Sequence, residues 1–583
     1  MALLERPGEA VTREELRQRL WPQDVFVDYD RGLNKAVNRL REVLGDNADT
    51  PRFVETLPQR GYRFVAPVET APSPPAQISP LPQSSYEPAP AALPAPSRRV
   101  FASLSVTLCT LVGLWFFKFH SGGASQIQSI AVLPLESLSS DKAQEYFSDG
   151  MTDELIGELA HITSLRVTSR TSVMGYKKGV KKVPQIAREL NVDAVIEGTV
   201  SREGGKIRIT AQLIRARDDR HLWSQKYESN LKDVIALQGE VARAIARQVH
   251  ASLRPEEQTR LEQSKSINPA AYEAYLEGAY FLQQNIRGVP RSMELFRKSI
   301  ELDATYAPAH AGLAQALIFA GIYEFQPFAK AYTEARAAAQ RALNLDSNNA
   351  ASHNAMADIM KGLDWDLEAA EREQRLALRL SPSHLLTRLW LSETLSRLER
   401  HDEALAESER ALSLDPVSAI SHNNRAMLLW RARRYDQAIK EAQTALDLDP
   451  SHFNALWWQG LAYAGKHDFT RAMECLRRGS QATKAPVLLA SIGYVYGLAN
   501  ERASARDVIE QLHALSKLRY ISNVNLATVY AGLGDADAAF FWLEKAYRAR
   551  DGRVHQLVFP LFDAFRDDQR YRELKSRIGL LKQ

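Results

Sequence analysis

The sequence predicts a multidomain chain in which a small helix–helix–hairpin module, a membrane-length helix, an α/β domain and an all-α repeat solenoid follow one another. Three patterns predict this order: an 18-residue run without charge near residue 100, period-two alternation further along, and a 34-residue period in the second half. A chain of 583 residues exceeds the size of one hydrophobic core. Its two distant cysteines exclude a disulfide framework, and a net charge of +4 excludes a chain-wide polycation made for nucleic acid.

The first 67 residues are predicted to form two helices followed by a hairpin. Thr12 and Glu15 have capping-box spacing, which predicts that the first helix starts there. A second helix is predicted over Asp30–Leu44, because its apolar residues recur on one face. Two strand-like runs, residues 53–57 and 62–65, then flank a Pro-Gln-Arg-Gly turn and predict the hairpin.

The outward face of the second helix carries cations and amides that suit the major groove of DNA. Cations neutralise phosphates, while amide and guanidinium groups pair with base edges. A solvated helix face is the alternative: residues 1–70 have a net charge of −1, and only residues 31–66 reach +3. Charge alone leaves both interpretations open. The residues on this face are Arg31, Lys35, Asn38 and Arg39, with Asn34 at its margin.

Three stretches of this module carry a family resemblance: LLERPGEAVTREELRQRLWP, VDYDRGLNKAVNRLREVLGD and TPRFVETLPQRGYRFVAPV. They resemble the winged helix-turn-helix of OmpR/PhoB-type regulators, a phosphorelay-type output domain, and especially the membrane-spanning CadC/ToxR-like branch. The resemblance implies that Asp30–Leu44 is the recognition helix and that Arg60–Arg63 is the wing. The DNA contacts that it implies are Arg31, Asn34, Lys35, Asn38, Arg39, Arg60, Tyr62 and Arg63.

The start of the chain departs from the family pattern. The family's domain begins with a small antiparallel sheet, whereas this chain opens at Ala2–Leu4, inside the expected first helix. We therefore expect an amino-terminally incomplete winged helix, through either an upstream start codon or a true truncation. A fragment of about 66 residues without one core layer would be marginally stable, which favours the upstream start.

Residues 68–97 are predicted to be a proline-rich linker. Positions 67–96 hold ten prolines, which remove backbone donors and favour an extended chain. At ~3.1 Å per residue such a linker would reach on the order of 90 Å. It would separate the amino-terminal module from the next segment.

Residues 98–119 are predicted to form a single transmembrane helix. Val100–Phe117 carries no charge and would measure roughly 27 Å as a helix, close to the thickness of bilayer hydrocarbon. A buried soluble helix is the alternative interpretation. Arg98 and Arg99 favour a cytoplasmic amino terminus. The predicted localisation is therefore the inner (cytoplasmic) membrane, single-pass, with the carboxyl-terminal domains periplasmic.

Residues 127–253 are predicted to form an α/β domain with a half-exposed sheet. Residues 194–200 and 206–214 alternate apolar and polar side chains, and Gly204–Gly205 between them suits a hairpin. The runs SIAVLPLESLSSD, EYFSDGMTDELI and VDAVIEGTVSREGGKIRITAQLI resemble the TolB-like domain that bacteria attach to transcription regulators and cyclases. The resemblance implies no established catalytic residue.

Two charged groups in this domain each have a functional and a structural interpretation. Asp149, Asp153 and Glu154 suit a metal or acid/base cluster, but carboxylates also stabilise the start of a helix, which we favour. A basic run suits a binding patch, but a solvated loop is the simpler interpretation. This run comprises Arg166, Arg170, Lys177, Lys178, Lys181 and Lys182.

Residues 270–553 are predicted to be tetratricopeptide (TPR) repeats, and residues 554–583 a capping helix. Leu-Ser/Asp-Pro recurs every 34 residues at Leu380, Leu414 and Leu448, the period typical of this helix-pair repeat. Its concave surface is predicted to bind a protein or peptide. Candidate aromatic anchors, for which packing is the alternative role, are Trp390, Trp430, Trp457, Trp458 and Trp542. Four histidines match no metal-ligand spacing: His310, His353, His422 and His452.

Two functional hypotheses follow from these patterns. The first is a membrane-integrated one-component transcription regulator that binds promoter DNA and senses a protein, peptide or envelope signal. The second is a membrane-anchored TPR scaffold with a non-functional DNA-binding remnant. The expected partners are double-stranded DNA, the membrane bilayer, a protein or peptide, and possible further copies of the chain. No catalytic, cofactor or metal motif is found, so an enzyme is the least favoured class.

Overall fold

The computed structural model divides the chain into two compact units, residues 1–125 and 126–583. It describes residues 9–12, 15–16, 37, 46, 51–57, 61–66, 127–138, 145–177, 181–203, 205–262, 266–284 and 286–580.

A three-stranded antiparallel sheet organises the described part of the first unit. Its strands are β1 (Ala10–Thr12), β2 (Val54–Leu57) and β3 (Gly61–Phe64), in the order β1-β3-β2. Tyr62 lies opposite Val11 in one neighbour and Thr56 in the other. The hairpin of β2 and β3 confirms the sequence prediction, whereas β1 was not predicted.

A small apolar cluster packs against this sheet: Val11, Leu16, Val37, Val54 and Tyr62. Val37 is helical and buried, as predicted for the inward face of the second helix. The capping box is also present, because the Glu15 carboxylate accepts from the Thr12 backbone N–H at 2.9 Å while the Thr12 hydroxyl accepts from the Glu15 N–H at 3.2 Å.

The second unit begins with a mixed sheet covered by helices. Its central path is β6-β4-β7-β8-β9, with the short β5 paired to β7. Parallel pairing joins β4 to β6 and β7, and antiparallel pairing joins β7, β8 and β9. Gly205 has φ +79° in the β7–β8 hairpin, as its position predicted. The strands are β4 (Ser129–Val132), β5 (Glu136–Ser137), β6 (Arg166–Val167), β7 (Ala194–Glu203), β8 (Lys206–Arg215) and β9 (Arg220–Asn230).

Five α-helices accompany this sheet in the part of the domain that the structure describes. The predicted alternation of strands and helices is present, but β9 and the long helix that follows it were not predicted. The helices are α1 (Glu145–Ala160), α2 (Arg170–Met174), α3 (Val183–Leu190), α4 (Val234–Gln248) and α5 (Pro255–Glu262).

Eight consecutive helix pairs follow in the described residues. The alanines that recur every 34 residues, at Ala370, Ala404, Ala438 and Ala472, are all fully buried, because paired helices approach closely there. The pairs are α6 (Pro269–Gln284) with α7 (Val289–Leu302), α8 (Ala307–Ile322) with α9 (Phe328–Leu345), α10 (Ala350–Ile359) with α11 (Leu367–Leu380), α12 (Leu385–Arg397) with α13 (His401–Leu414), α14 (Ala419–Arg431) with α15 (Tyr435–Leu448), α16 (Phe453–Gly465) with α17 (Phe469–Thr483), α18 (Pro486–Leu498) with α19 (Arg502–Ser516), and α20 (Asn523–Gly532) with α21 (Ala536–Arg548).

A carboxyl-terminal segment returns from the last pair across earlier helices. It consists of two 3₁₀ helices, Gly552–Val558 and Pro560–Phe565, and of α22 (Gln569–Arg577). One turn of π-helix, Met360–Asp364, interrupts the third pair and contacts this segment. The array therefore closes on itself rather than ending as an open spiral.

The described part of the chain contains no helix that is both long enough and apolar enough to cross a bilayer. This finding contradicts the sequence predictions of a single transmembrane helix and of single-pass inner-membrane localisation. Those predictions rested on residues 98–119, which lie outside the described residues, as does the linker 68–97. An 18-residue run with four hydroxyl side chains is near the lower limit for a span, so hydropathy was a weak argument.

Candidate functional site

The β2–β3 hairpin of the first unit is shaped by three local interactions. Gly61 has φ +149°, and a Cβ atom there would clash with the Val11 carbonyl of β1, so the close approach of the strands requires glycine. The Asp46 carboxylate accepts from three backbone N–H groups at residues 52–54, at 2.6, 3.1 and 2.7 Å. Arg63 donates to Glu55 across the hairpin at 2.6 and 2.9 Å.

Two of the predicted DNA contacts lie among the described residues. Tyr62 is only 2% exposed and belongs to the apolar cluster, so its side chain supports the hairpin from inside. Arg63 is half-exposed on β3, and its pairing with Glu55 fixes the direction of its guanidinium. The other predicted contacts lie outside the described residues: Arg31, Asn34, Lys35, Asn38, Arg39 and Arg60.

A second site of interest is the junction of the α/β domain with the repeats. Asp415, fully buried after α13, accepts from the hydroxyls of Ser169, Thr171 and Ser172 at the start of α2, and from Ser421 of the following helix α14. Asp449 holds the equivalent position one repeat later and accepts only within its own loop, from Ser451. The aspartate at this repeat position therefore joins the two domains at Asp415 but makes only a local contact at Asp449.

The charged residues singled out in the α/β domain have internal partners. The helix α1 begins at Glu145, so Asp149 lies in its second turn rather than at its start, where it pairs with Lys177 at 2.5 Å. Asp153 accepts from Gln283 and Glu154 from Tyr275. Burial, more than its neighbouring carboxylates, raises the pKa of Glu154 to about 8.

Most described members of the basic run have partners, either within the domain or at its junction with the repeats. Lys177 also pairs with Glu145, and Lys181 pairs with Glu189. Arg166 donates to the Ser413 carbonyl at the junction with the repeats. Such pairing favours a structural role for these cations, while Lys178 lies outside the described residues.

The helix pairs and the α/β domain together enclose a cavity of about 2800 Å³. Its wall includes three of the predicted aromatic anchors, Trp390, Trp457 and Trp458, each less than a tenth exposed. Trp457 and Trp458 stack at 4.0 Å, and Trp457 donates to Ser491. Trp430 is instead a core residue, and Trp542 lies under Lys545, 4.3 Å from its ring. The sequence could not separate these roles, because only Trp390 and Trp458 hold the same position in the 34-residue repeat.

The carboxyl-terminal segment forms one wall of this cavity. Arg553 pairs with the buried Glu324 at the end of α8, and its guanidinium also donates to the Ile322 carbonyl at 2.5 Å. Arg433 pairs with Asp563 at 2.5 Å. These contacts join residues more than a hundred positions apart, so no local pattern in the sequence could predict them.

The four histidines noted in the repeats make local contacts. The Nε2 of His310 lies 3.1 Å from the Ala304 carbonyl oxygen, and His452 caps α16. His353 and His422 each pair with a glutamate about twenty residues on, Glu373 and Glu441, at 2.7 and 2.9 Å. Among the described residues, no group of three or more potential metal ligands converges.

Comparison with known protein families assigns the parts of the chain. Residues 1–64 match the family "Transcriptional regulatory protein, C terminal", and residues 387–418, 423–484 and 520–551 match tetratricopeptide repeats. The chain carries an OmpR/PhoB-type output domain and TPR repeats. Residues 125–244 match "HilA/YgeH-like transcriptional regulator, second domain". These matches do not support the predicted TolB-like resemblance.

Three curated relatives show which parts are shared. Over 69 residues the chain is 41% identical to the cholera toxin homolog transcriptional activator of Vibrio parahaemolyticus, covering 12% of this chain and 24% of the relative. Over 62 residues it is 32% identical to the transcriptional activator CadC of Escherichia coli, covering 10% and 12%. Over 247 residues it is 32% identical to putative adenylate cyclase 3 of Rhizobium meliloti, covering 42% of each. The chain thus spans less than half the length of these relatives.

Proposed function

We propose that this protein is a transcription regulator that binds promoter DNA through its first unit and a protein or peptide partner through its repeats. The observation that carries the proposal is the regulator-family match over residues 1–64, on a unit whose β2–β3 hairpin has the form of a wing. Arg63 lies on β3 of this hairpin. No catalytic role is proposed.

The proposed DNA surface comprises the outward face of the second helix and the wing. Arg31, Asn34, Lys35, Asn38 and Arg39 would enter the major groove, while Arg60 and Arg63 would contact the backbone from the wing. We assign Tyr62 a packing role beneath the wing, since a side chain that is 2% exposed offers little surface to DNA.

The partner would bind to the concave side of the TPR array. Stacked Trp457 and Trp458 in the wall of the cavity would supply apolar contact area, as buried aromatic anchors do at interfaces. The 247-residue match to a putative cyclase is longer than the first unit, so it extends into residues 126–583. This supports the proposal that the second unit is an input module.

A DNA-binding assay with the full chain tests the first part. Replacing Lys35 and Arg39 by alanine should weaken binding to promoter fragments at least tenfold and reduce the salt dependence by about two units of slope, because each cation displaces counterions. Arg52, an exposed cation of the same unit outside the proposed surface, provides the matched control as Arg52→Ala. Equal loss in the control, or no DNA binding by the full chain, would favour the interaction scaffold instead.

A further inference from the structure

Five charged side chains cluster in the wall of the central cavity. Asp358 and Lys361 come from the third helix pair, Glu393 and Arg397 from α12, and Arg431 from the end of α14. We call this group the Arg431 cluster. It lies outside the proposed DNA surface and is not made of the tryptophans proposed to anchor a partner.

The Arg431 cluster has an excess of positive charge. Lys361 pairs with Asp358, while Arg397 and Arg431 share Glu393 at 2.7 and 3.2 Å. Burial opposes ionisation of Glu393, but these three cations outweigh it and hold its pKa well below the usual range. Three cations therefore face two carboxylates, which leaves a net charge of +1.

Nearby groups do not supply the missing negative charge. His555 of the carboxyl-terminal segment is fully buried beside Arg397, and burial lowers its pKa to about 3. The Tyr332 hydroxyl donates a hydrogen bond to Asp358 at 2.7 Å. It therefore occupies one acceptor of this carboxylate and adds no negative charge. The excess cation thus stays uncompensated within the described residues.

Donor groups of the cluster also lack acceptors. Arg431 is 4% exposed, and its Nε and Nη1 have no hydrogen-bond partner in the described part of the chain. The same holds for Nε of Arg397. The ring of Phe559 covers one face of the Arg431 guanidinium at 4.1 Å, which attracts the cation but accepts no hydrogen bond along its N–H directions. A buried guanidinium with free N–H groups is costly, so an acceptor in the cavity would stabilise the site.

We propose that the Arg431 cluster binds the oxyanion of a small ligand, a carboxylate or phosphate group, inside the central cavity. Arg431 and Arg397 would donate to its oxygens, and the rings of Trp390 and Phe559 would contact its apolar part. The inference goes beyond the proposed function, because such a ligand needs neither DNA nor a protein partner in order to bind.

Calorimetric titration of the full chain with succinate and, separately, with inorganic phosphate tests the proposal. Arg431→Met should weaken binding of the preferred anion at least tenfold, because it removes a charge-assisted donor. Glu393→Gln should tighten binding about tenfold, since it removes the carboxylate that competes for the same cations. Arg425→Met is the matched control: Arg425 lies on the same helix, pairs with Glu409 and Glu441, and is not part of the cluster.

The opposite signs of the two cluster variants separate binding from simple unfolding. Should Arg431→Met fail to fold, the tightening in Glu393→Gln decides the question alone. Binding of succinate only or of phosphate only identifies the anion class and supports the proposal. Absence of binding by either anion, or binding that neither cluster variant changes relative to Arg425→Met, overturns it, whatever the outcome of the DNA assay.

Discussion

At the residue scale, replacing a buried charged residue or histidine of the repeats should change stability more than replacing an exposed one. Surface ion pairs such as Lys206–Glu228 contribute little, because water and salt screen them. His555, Asp415 and Arg431 are instead removed from solvent, and each depends on a few named partners. Replacing any of them therefore has a defined expected result.

His555 predicts a loss of stability in acid. Its pKa is about 3 in the folded protein, through burial and then through Arg397, against an ordinary value of 6.5. The unfolded chain therefore binds a proton between these values that the folded chain does not. The contribution of His555 to the free energy of unfolding is complete above pH 6.5. It declines as pH falls, and at pH 5 it is smaller by about 2 kcal/mol.

Denaturant unfolding of wild type and His555→Asn at pH 7.5 and pH 5 measures this contribution. Asparagine does not titrate, so the variant should lose about 2 kcal/mol less than wild type on acidification. Equal acid sensitivity of the two proteins would show that other groups, and not His555, govern the acid response.

Asp415 predicts a specific weakening of the domain junction. Replacement by alanine removes the acceptor of four hydroxyl groups, three of them from α2, and should destabilise the junction by about 2–4 kcal/mol. Hydrogen exchange over residues 169–174 should rise accordingly. The control is Asp449→Ala, which removes the same repeat residue but only a local loop contact. Similar exchange in both variants would contradict the docking role.

At the element scale, the sequence predicted what periodicity encodes. The 34-residue period predicted the helix pairs, because the same positions are buried in each repeat. Alternation of apolar and polar residues predicted β7 and β8, because every second side chain of such a strand is buried. The edge strand β9 escaped prediction: most of its residues are exposed, so it shows no clean alternation. The three-residue β1 is stabilised by distant β3 rather than by its own sequence.

The candidate sites were less predictable than the elements. The resemblance identified the wing, but only the structure places Tyr62 in the core beneath it. The Arg431 cluster combines residues from three α-helices and the π-helical turn, and His555 contacts it from near the far end of the chain. Such convergence depends on how the array closes, which no local pattern specifies.

The carboxyl-terminal segment predicts the effect of one glycine. A Cβ atom at Gly552 would clash with the Phe328 ring and approach the Gly362 carbonyl, so Gly552→Val should displace the first 3₁₀ helix from the array. Hydrogen exchange should then rise over residues 552–558 and at the end of α8. Gly157→Ala, at a helix position with open space around it, should be neutral or slightly stabilising. Unchanged exchange in Gly552→Val would contradict the close packing of this segment.

At the scale of the whole molecule, a regulator-type output domain and a closed repeat array are joined in one chain. The family matches divide in the same way, with a regulator output domain in the first unit and TPR repeats in the second. The second unit combines an interdomain docking point, a large cavity and a buried charge cluster, which suit it to receive a ligand or partner.

Chromatin capture of the full-length protein in its own cells tests the central claim most directly. We expect enrichment at a limited set of promoters, lost in the Lys35→Ala/Arg39→Ala variant and retained in Arg52→Ala at equal protein level. Enrichment at no promoter, or an identical profile in all three proteins, would contradict a DNA-binding regulator.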